Sequence, residues 1–229
     1  MNSVILNGIK SDTVKGLLIQ SLTPVSKPLL RTEIEEYDGR DGDIITPLGY
    51  SAYDKEMEIG LYGDYDIDDV ISYFDSEGFV TFSNEPDKYY RFKMIEQIDF
   101  EKLIRYRTAT VTFHVQPFKY SAVERDLEST ESPMTIINSG NTKSKPIVTI
   151  QGRGQVSLML NGTLILAMLI TQGAITIDVD ALEAYTGNLL LNRSVIGDYN
   201  DLMFSVGRNT LSWTGNVSKV TVERYSRWI

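Results

Sequence analysis

Cysteine is absent from the chain of 229 residues, and histidine occurs only once. Without cysteine the chain has no disulfide, no thiolate nucleophile and no Cys-ligated metal, which fits folding in a reducing cytoplasm. The single histidine, His114, alternates with threonines in a predicted strand, and no motif supplies the nucleophile and the orienting acid that a Ser-His-Asp triad needs. We therefore expect a protein that is not an enzyme and has no cofactor, with His114 at a surface or an interface.

Long apolar runs and an excess of basic charge are missing as well. The longest apolar run, residues 164–170, is far shorter than the about 20 residues of a transmembrane helix, so we expect no membrane insertion. The net charge is −9. Because an acidic surface does not attract phosphate backbones, this charge argues against a protein that reads nucleic acid in a groove.

The composition is that of a folded chain. Apolar residues make up 42% and charged residues 23%, a balance that favours a globular protein over a disordered one. The length suits one large domain or two ordinary ones.

Short apolar runs broken by glycine dominate residues 136–177. The pair Asn161-Gly162 stands between two of these runs and predicts a β-hairpin with a type I′ turn. We therefore predict an antiparallel meander, in which Gly152-Arg153-Gly154 joins two strands. Farther on, Gly215-Asn216 is predicted to turn a terminal hairpin.

The first half alternates between strand patterns and one helix. Residues 55–62 place Met57, Ile59 and Leu61 on one face, which is typical of a half-buried strand. Asp66 is a suitable N-cap for a helix over residues 67–76, with Gly78 as its stop signal. Further strands are predicted at 3–6, 16–22, 29–37, 78–83, 89–100 and 104–116.

Residues 117–133 contain two prolines and no strand pattern, which indicates a linker. We place the domains at 1–125 and 126–229. The fold class is mainly β, because short strands at regular spacing favour two sandwiches.

A set of aspartates is the one candidate for a metal site. Asp64, Asp66, Asp68 and Asp75 have the spacing of an EF-hand loop, but the sixth position is Asp69 instead of glycine and the twelfth is not glutamate. The start of a helix explains the same residues, so the prediction is that no metal binds.

Two tryptophans are candidates for contact. Trp213 alternates with polar residues and is expected in the core. Arg227 and Trp228 are expected to be exposed and to contact a partner, because Trp and Arg are enriched at interface hot spots.

Several segments in a fixed order resemble the distal tail proteins (baseplate or tail-tip hub proteins) of long-tailed phages that infect Gram-positive bacteria. In the first half these are GRDGDIITPLGYSAY (39–53), FSNEPDKYYRFKMIEQIDF (82–100) and TVTFHVQPFKY (110–120). In the second half they are IINSGNTKSKPIVTIQGRG (136–154), LMLNGT (158–163), ITID (175–178), LNRSVIGDYNDLMFSVGRNTLSWTG (191–215) and VSKVTVERYSRWI (217–229).

The resemblance implies a structural virion protein of the tail tip, assembled in the host cytoplasm. It implies an N-terminal β-sandwich with one helix and a galectin-like C-terminal β-sandwich. Six N-terminal domains would close into a ring, single or stacked in pairs, between the tail tube protein and the tail-associated tip protein. A receptor-binding protein would dock on the ring, and DNA would pass through as cargo.

Within that family picture, we expect ring closure to involve the loop and strands of residues 39–61, with Arg40, Asp41 and Asp43 at the interface. The alternative function is a carbohydrate-binding module that recognises host cell-wall saccharide. The C-terminal half contains no histidine, so the His, Arg and Trp set of true galectins is not present there.

Overall fold

Two compact units make up the computed structural model of the chain, which describes residues 2–229. The first unit runs through Ala122 and the second covers Val123–Trp228. Both consist mainly of antiparallel strands in curled, sandwich-like sheets, so the predicted fold class is confirmed.

The first unit contains nine strands and two helices within the described residues. The strands are β1 (Val4–Leu6), β2 (Ile9–Lys10), β3 (Leu17–Ser21), β4 (Leu30–Glu35), β5 (Ile44–Tyr50), β6 (Tyr53–Leu61), β7 (Glu77–Phe82), β8 (Lys88–Lys93) and β9 (Thr108–Ser121). The helices are α1 (Ile67–Phe74) and α2 (Phe100–Tyr106), and Ser11–Thr13 forms a 3₁₀ turn.

One antiparallel sheet organises this unit in the order β2-β1-β7-β8-β9-β6-β3. Alternation along β6 and β9 has the predicted effect, since Met57, Ile59, Val111 and Phe113 are all buried. Both helices contribute side chains to the same apolar core. Strands β4 and β5 stand outside the sheet and pair with each other.

Helix α1 begins where the sequence predicts. The Asp66 carboxylate accepts hydrogen bonds from the amides of Asp68 and Asp69, which otherwise lack partners in the first turn. The predicted end is wrong: the C-cap is Asp75, and Gly78 lies inside β7 with a positive φ of 135°. The side chain of Asn7 occupies the space beside Gly78, which explains a glycine at that strand position.

A second helix overlaps the ends of two predicted strands, taking the last residue of 89–100 and the first three of 104–116. We predicted strand over 89–100 and a single helix, but β8 ends at Lys93 and α2 spans Phe100–Tyr106. Asp99 caps α2, and only Leu103 of its seven residues is buried. So short a helix with one inward side chain gives no clear 3.6-residue pattern. Neither α1 nor α2 has the length and apolarity to cross a membrane.

The second unit is built from ten described strands and two 3₁₀ turns. The strands are β10 (Leu127–Ser129), β11 (Met134–Asn138), β12 (Ile147–Leu160), β13 (Thr163–Ile170), β14 (Ala174–Asp178), β15 (Glu183–Thr186), β16 (Leu189–Leu190), β17 (Val195–Gly197), β18 (Gly207–Glu223) and β19 (Arg227–Trp228). The turns are Asn192–Ser194 and Tyr199–Leu202.

Two long bent strands form the spine of this unit. Strands β12 and β18 pair along nearly their whole length, with register shifts at Gly152 and between Arg153 and Val156. The first half of β12 also pairs with β14, and its second half pairs with β13. Because its two halves pair with different strands, β12 contributes side chains to the core along its whole length.

This arrangement corrects two predicted turns and the simple meander. Gly152-Arg153-Gly154 does not join two strands, and Gly215-Asn216 does not turn a hairpin; both lie within continuous strands. A Cβ on Gly152 would lie 2.3 Å from the carbonyl oxygen of Asn216, so glycine permits the close approach at the bend.

The Asn161-Gly162 hairpin is confirmed. Both residues have positive φ, 52° and 85°, as a type I′ turn requires, and they join β12 to β13.

The segment predicted to lack strands contains two of them. Strand β9 continues through Pro117 to Ser121, and β10 pairs with β18 from Leu127 to Ser129. The register between β8 and β9 shifts near Pro117, so a bulge accommodates the residue that cannot donate a ladder hydrogen bond.

Candidate ring interface

An isolated β-hairpin is the most unusual surface of the first unit. Strands β4 and β5 form a two-stranded sheet that pairs with no other strand of residues 2–229. We call residues 30–50 the arm, residues 36–43 its tip and residues 22–29 its root. A two-stranded ribbon is only marginally stable by itself in water, so its own hydrogen bonds do not explain its stability.

One face of the arm is apolar. Residues directly opposite each other in an antiparallel pair share a face, and the pairs here are Leu30 with Tyr50, Thr32 with Pro47 and Ile34 with Ile45. Ile34 and Ile45 are 57% and 59% exposed. Contiguous apolar side chains on a sheet face are characteristic of a surface that another protein covers.

The opposite face of the arm is acidic. Glu33 and Glu35 alternate with the apolar residues and are exposed. Across the whole arm two arginines stand against six carboxylates, namely Arg31 and Arg40 against Glu33, Glu35, Glu36, Asp38, Asp41 and Asp43. The arm is therefore amphipathic: one face is mostly apolar, and the opposite face carries Glu33 and Glu35 beside Arg31, with Thr46 and Ile44 on the partner strand.

The predicted interface residues Arg40, Asp41 and Asp43 all lie at the tip and are exposed. The backbone amide of Arg40 donates to the carbonyl oxygen of Tyr37 at 3.2 Å, which closes a turn. The structure thus places these three side chains together, at the outer end of the only two-stranded ribbon among the described residues.

Side chains of β6 and of the turn after β7 hold the root of the arm. The root has no regular secondary structure. Lys55 Nζ on β6 donates to the carbonyl oxygen of Pro24 at 3.2 Å, and Asn84 Nδ2 donates to that of Thr23 at 3.0 Å. The amide of Ser51 donates to the carbonyl oxygen of Leu29 at 2.9 Å, which ties the returning strand to the outgoing one.

Lys55 is a buried cation inside an aromatic cage. It is 1% exposed, and its Nζ lies 5.0 Å from the ring centre of Tyr90, 5.5 Å from that of Phe82 and 5.8 Å from that of Tyr53. Burial lowers the pKa of Lys55 from 10.5 to about 8, and the negative charge of Glu85 opposes that shift.

Glu85 links this cage to a second lysine. Its two oxygens accept from the Tyr90 hydroxyl at 2.5 Å and from Lys119 Nζ at 2.6 Å. The side chains of Lys119 and Glu85 are only 13% and 12% exposed. Burial, together with the hydrogen bond to Glu85, raises the pKa of Tyr90. Glu85 is therefore ion-paired with Lys119 and acts on Lys55 through its charge.

Two solved structures align with this chain over nearly its whole length. The SPP1 Dit protein, a paradigm of the hub adsorption apparatus in Gram-positive infecting phages, aligns at a TM-score of 0.63 with 17% identity, over 97% of this chain and 98% of that one. The chain has the fold of a phage hub protein.

A chain of the phage P2 baseplate in its activated conformation with Ca aligns at a TM-score of 0.52 with 12% identity, over 97% of both chains. No family model matches the chain, and no curated protein matches its sequence. The resemblance found in the sequence is confirmed at the level of the fold, and the hub fold is shared despite low identity.

The four aspartates of the metal candidate do not form a site. Asp66 caps α1 and Asp64 forms an ion pair with Lys15, while Asp68 and Asp75 are exposed at opposite ends of the helix. Within residues 2–229 no group of three or more acidic or histidine side chains is arranged to hold a metal ion.

The prediction of an exposed Arg227 is wrong. Arg227 is 9% exposed, and its Nε donates to the carbonyl oxygen of Lys143 at 2.7 Å. Its carbonyl oxygen also accepts from the amide of Asn141, and a Cβ on Gly140 would lie 2.2 Å from the same oxygen. Arg227 therefore fastens the end of the second unit instead of presenting a charge, and Trp228 is half-buried.

His114 and Trp213 occupy the positions expected of them. His114 lies on the polar face of β9, where its Nδ1 is 2.7 Å from Oδ1 of Asp54. Trp213 is 7% exposed and belongs to the apolar core of the second unit, so its ring is not available to stack on a sugar.

Sequence reasoning missed Lys55, although a signal was present. Counting by two along β6 puts Lys55 on the same face as Met57, Ile59 and Leu61. A lysine at an inward position of a half-buried strand indicates a partner inside the fold, because a buried cation without one is unstable.

Proposed function

We propose that the chain is a structural protein of a phage tail tip that closes into a ring, with six copies as the family resemblance implies. The observation that carries the proposal is the amphipathic arm on a chain with a hub fold. The ring would join the tail tube protein to the tail-associated tip protein and offer a platform for host-adsorption components.

The apolar face of the arm supports ring closure. A closed ring uses one surface of each copy against a different surface of the next, so each copy must carry a patch that is uncovered when it is alone. The side chains of Leu30, Ile34, Ile45 and Pro47 form such a patch, and we assign it to contact with the neighbouring copy.

The acidic face of the arm supports a channel. If the apolar face is covered by the next copy, Glu33 and Glu35 on the opposite face remain in contact with solvent. A ring of such carboxylates repels the phosphate backbone, so DNA passes along the wall without adhering to it.

The mass of the purified chain in solution tests this function. We expect light scattering over a concentration series to show a species of six times the 25.8 kDa of one chain, or of twelve times for stacked rings. The double variant Ile34→Lys with Ile45→Lys should remain monomeric, because it places two charges in the apolar contact.

Ile95→Lys is the matched control. Ile95 is 60% exposed in the same unit but lies outside the arm, so its substitution should leave the ring intact. If the native chain assembles only when the neighbouring tail protein is added, the partner acts as the template and the arm variant should still fail. Assembly of the arm variant at native concentrations, or a native chain that stays monomeric even with the tail protein, would contradict the proposal.

A further inference from the structure

One buried ammonium group, that of Lys55, and one surface amide, that of Asn84, bind the root of the arm. Among residues 22–29, Pro24 and Pro28 have no amide hydrogen, and none of the eight residues belongs to a strand. The carbonyl oxygens of Thr23 and Pro24 instead accept from Asn84 and Lys55. Apart from the backbone bond between Ser51 and Leu29, the root is therefore held by the side chains of Lys55 and Asn84.

Both ends of the arm meet this network. The outgoing chain enters through Pro24, and the returning chain continues from Tyr50 into β6, which carries Tyr53 and Lys55. Ser26 of the root also lies close enough to the Tyr53 hydroxyl to lower its pKa against the effect of burial. Glu85, in the turn between β7 and β8, lies close enough to act on the charge of Lys55. One cluster therefore connects the two ends of the arm to the centre of the sheet.

The volume of the Lys55 side chain does not explain why a cation is buried at this position. Replacing a buried ion pair with apolar groups of similar volume is often neutral or stabilising, so Lys55 is not needed to fill the core. What an apolar side chain would lack is a donor for Pro24. The buried amine supplies that donor, at the cost of its desolvation.

We propose that Lys55, with Asn84 and Glu85, acts as a positioning group that sets the angle of the arm and so presents its apolar face to the next copy. Lys55 and Asn84 hold the root directly, and Glu85 holds Lys55 through its charge. This inference deepens the proposed function, since the value of a fixed arm rests on its role in ring closure.

The absence of cysteine allows a direct measurement of the arm. Glu36→Cys at the tip and Lys102→Cys on α2 provide two exposed sites in the same unit for spin labels. Labelled chain is diluted into an excess of unlabelled chain, so that pulsed electron resonance records only distances within one copy. The native chain should give one narrow distance distribution.

Lys55→Met removes the donor and the charge while keeping a side chain of similar length. We expect the distance distribution to become at least twofold broader, with a melting temperature equal to or above that of the native chain, and ring formation to require at least tenfold more protein. Lys93→Met is the matched control on β8, because Lys93 is an exposed lysine that pairs with Glu77 outside the cluster. It should change none of these values.

Asn84→Ala covers the case in which Lys55→Met does not fold. Asn84 is exposed, so its truncation removes the bond to Thr23 without disturbing the core, and it should also broaden the distribution. A native-like width in Asn84→Ala together with a native-like width in folded Lys55→Met overturns the positioning proposal. So does a native-like width in Asn84→Ala when Lys55→Met is unfolded. If the distance distribution broadens in the variants but the native chain never assembles, the positioning group is supported and the ring is refuted.

Discussion

Lys55 illustrates how a single residue trades stability for geometry. Its ammonium group is surrounded by the rings of Tyr53, Phe82 and Tyr90, which attract a cation but do not replace the water it has lost. The nearby charges are one carboxylate, Glu85, and a second lysine, Lys119, which competes for that carboxylate. The net result is a pKa for Lys55 held at about 8 by burial.

This lowered pKa predicts a pH dependence with a definite sign. Below about pH 8 both folded and unfolded chains hold the Lys55 proton, and the penalty of burying the charge is fully present. Between about pH 8 and 10.5 the unfolded chain keeps the proton that the folded chain has lost, so the free energy of unfolding rises with pH. From pH 7 to pH 9.5, the free energy of unfolding of the native chain should rise by about 1–2 kcal/mol relative to that of Lys55→Met.

Calorimetric unfolding of the native chain and of Lys55→Met, at pH 7 and at pH 9.5, measures that gain. Lysines and tyrosines outside this cluster titrate equally in both chains, so the difference between the two chains reports on Lys55 and the groups that contact it. A difference that stays constant between the two pH values would show that Lys55 is not a buried cation.

At the level of elements, the bend shared by β12 and β18 determines the second unit. Each strand carries a glycine where the other approaches, Gly152 opposite Val217 and Gly215 opposite Val156. In the sequence these glycines resemble turns, because turns and bulges use the same residue for the same conformational freedom. Only the pairing of the neighbouring strands distinguishes a bulge within a strand from a loop between strands.

Gly215→Ala tests the bend. Gly215 has a φ of 104°, and an added Cβ would lie 2.3 Å from the carbonyl oxygen of Gln155. We expect a loss of about 2–4 kcal/mol in the free energy of unfolding, from the left-handed backbone and the collision together. Gly162→Ala is the control, since its φ is also positive, at 85°, but no atom lies within 4 Å of the added Cβ.

That control should lose only about 1–2 kcal/mol, the cost of the backbone conformation alone. Both tryptophans of the chain lie in the second unit, so denaturant unfolding followed by their fluorescence reports on it. Equal losses in the two variants would show that the close approach at the bend is not a constraint.

At the level of the whole molecule, the charge distribution matches the proposed assembly. The chain has a net charge of −9, and the arm alone has four more carboxylates than arginines. Like charges oppose the gathering of several arms around one axis, so the apolar face must outweigh this repulsion. Moderate salt is then expected to favour the ring by screening the carboxylates.

Charge reversal at the tip tests whether it belongs to the interface. Arg40→Glu removes one of the two positive charges of the arm and should weaken each contact between copies by about 0.2–1 kcal/mol, the range for exposed ion pairs. Asp41→Lys changes the charge in the opposite direction and reports whether Asp41 faces a cation or a carboxylate of the next copy. Light scattering at low protein concentration detects both effects.

Arg153→Glu is the control for charge, since Arg153 is exposed in the second unit. If Arg40→Glu and Asp41→Lys remain oligomeric at the same low concentrations as the native chain, the tip does not belong to the interface.

The sequence by itself determined the local features whose chemistry is short in range. Asp66 caps α1 because its carboxylate reaches amides two and three residues ahead, and Asn161-Gly162 turns the chain because both residues tolerate positive φ. Alternation in β6 and β9 predicted which side chains are buried. The order of the quoted segments was enough to indicate the hub fold.

Tertiary structure alone decided the features that depend on partners distant in sequence. Arg227 is buried because Lys143, far back in the chain, supplies an acceptor, and Gly215 lies within a strand because Val156 stands opposite. The arm is recognisable only when the sheet order shows that β4 and β5 were left out of it. Local propensity determines the backbone conformation that a residue adopts, whereas burial and strand pairing depend on contacts with residues distant in sequence.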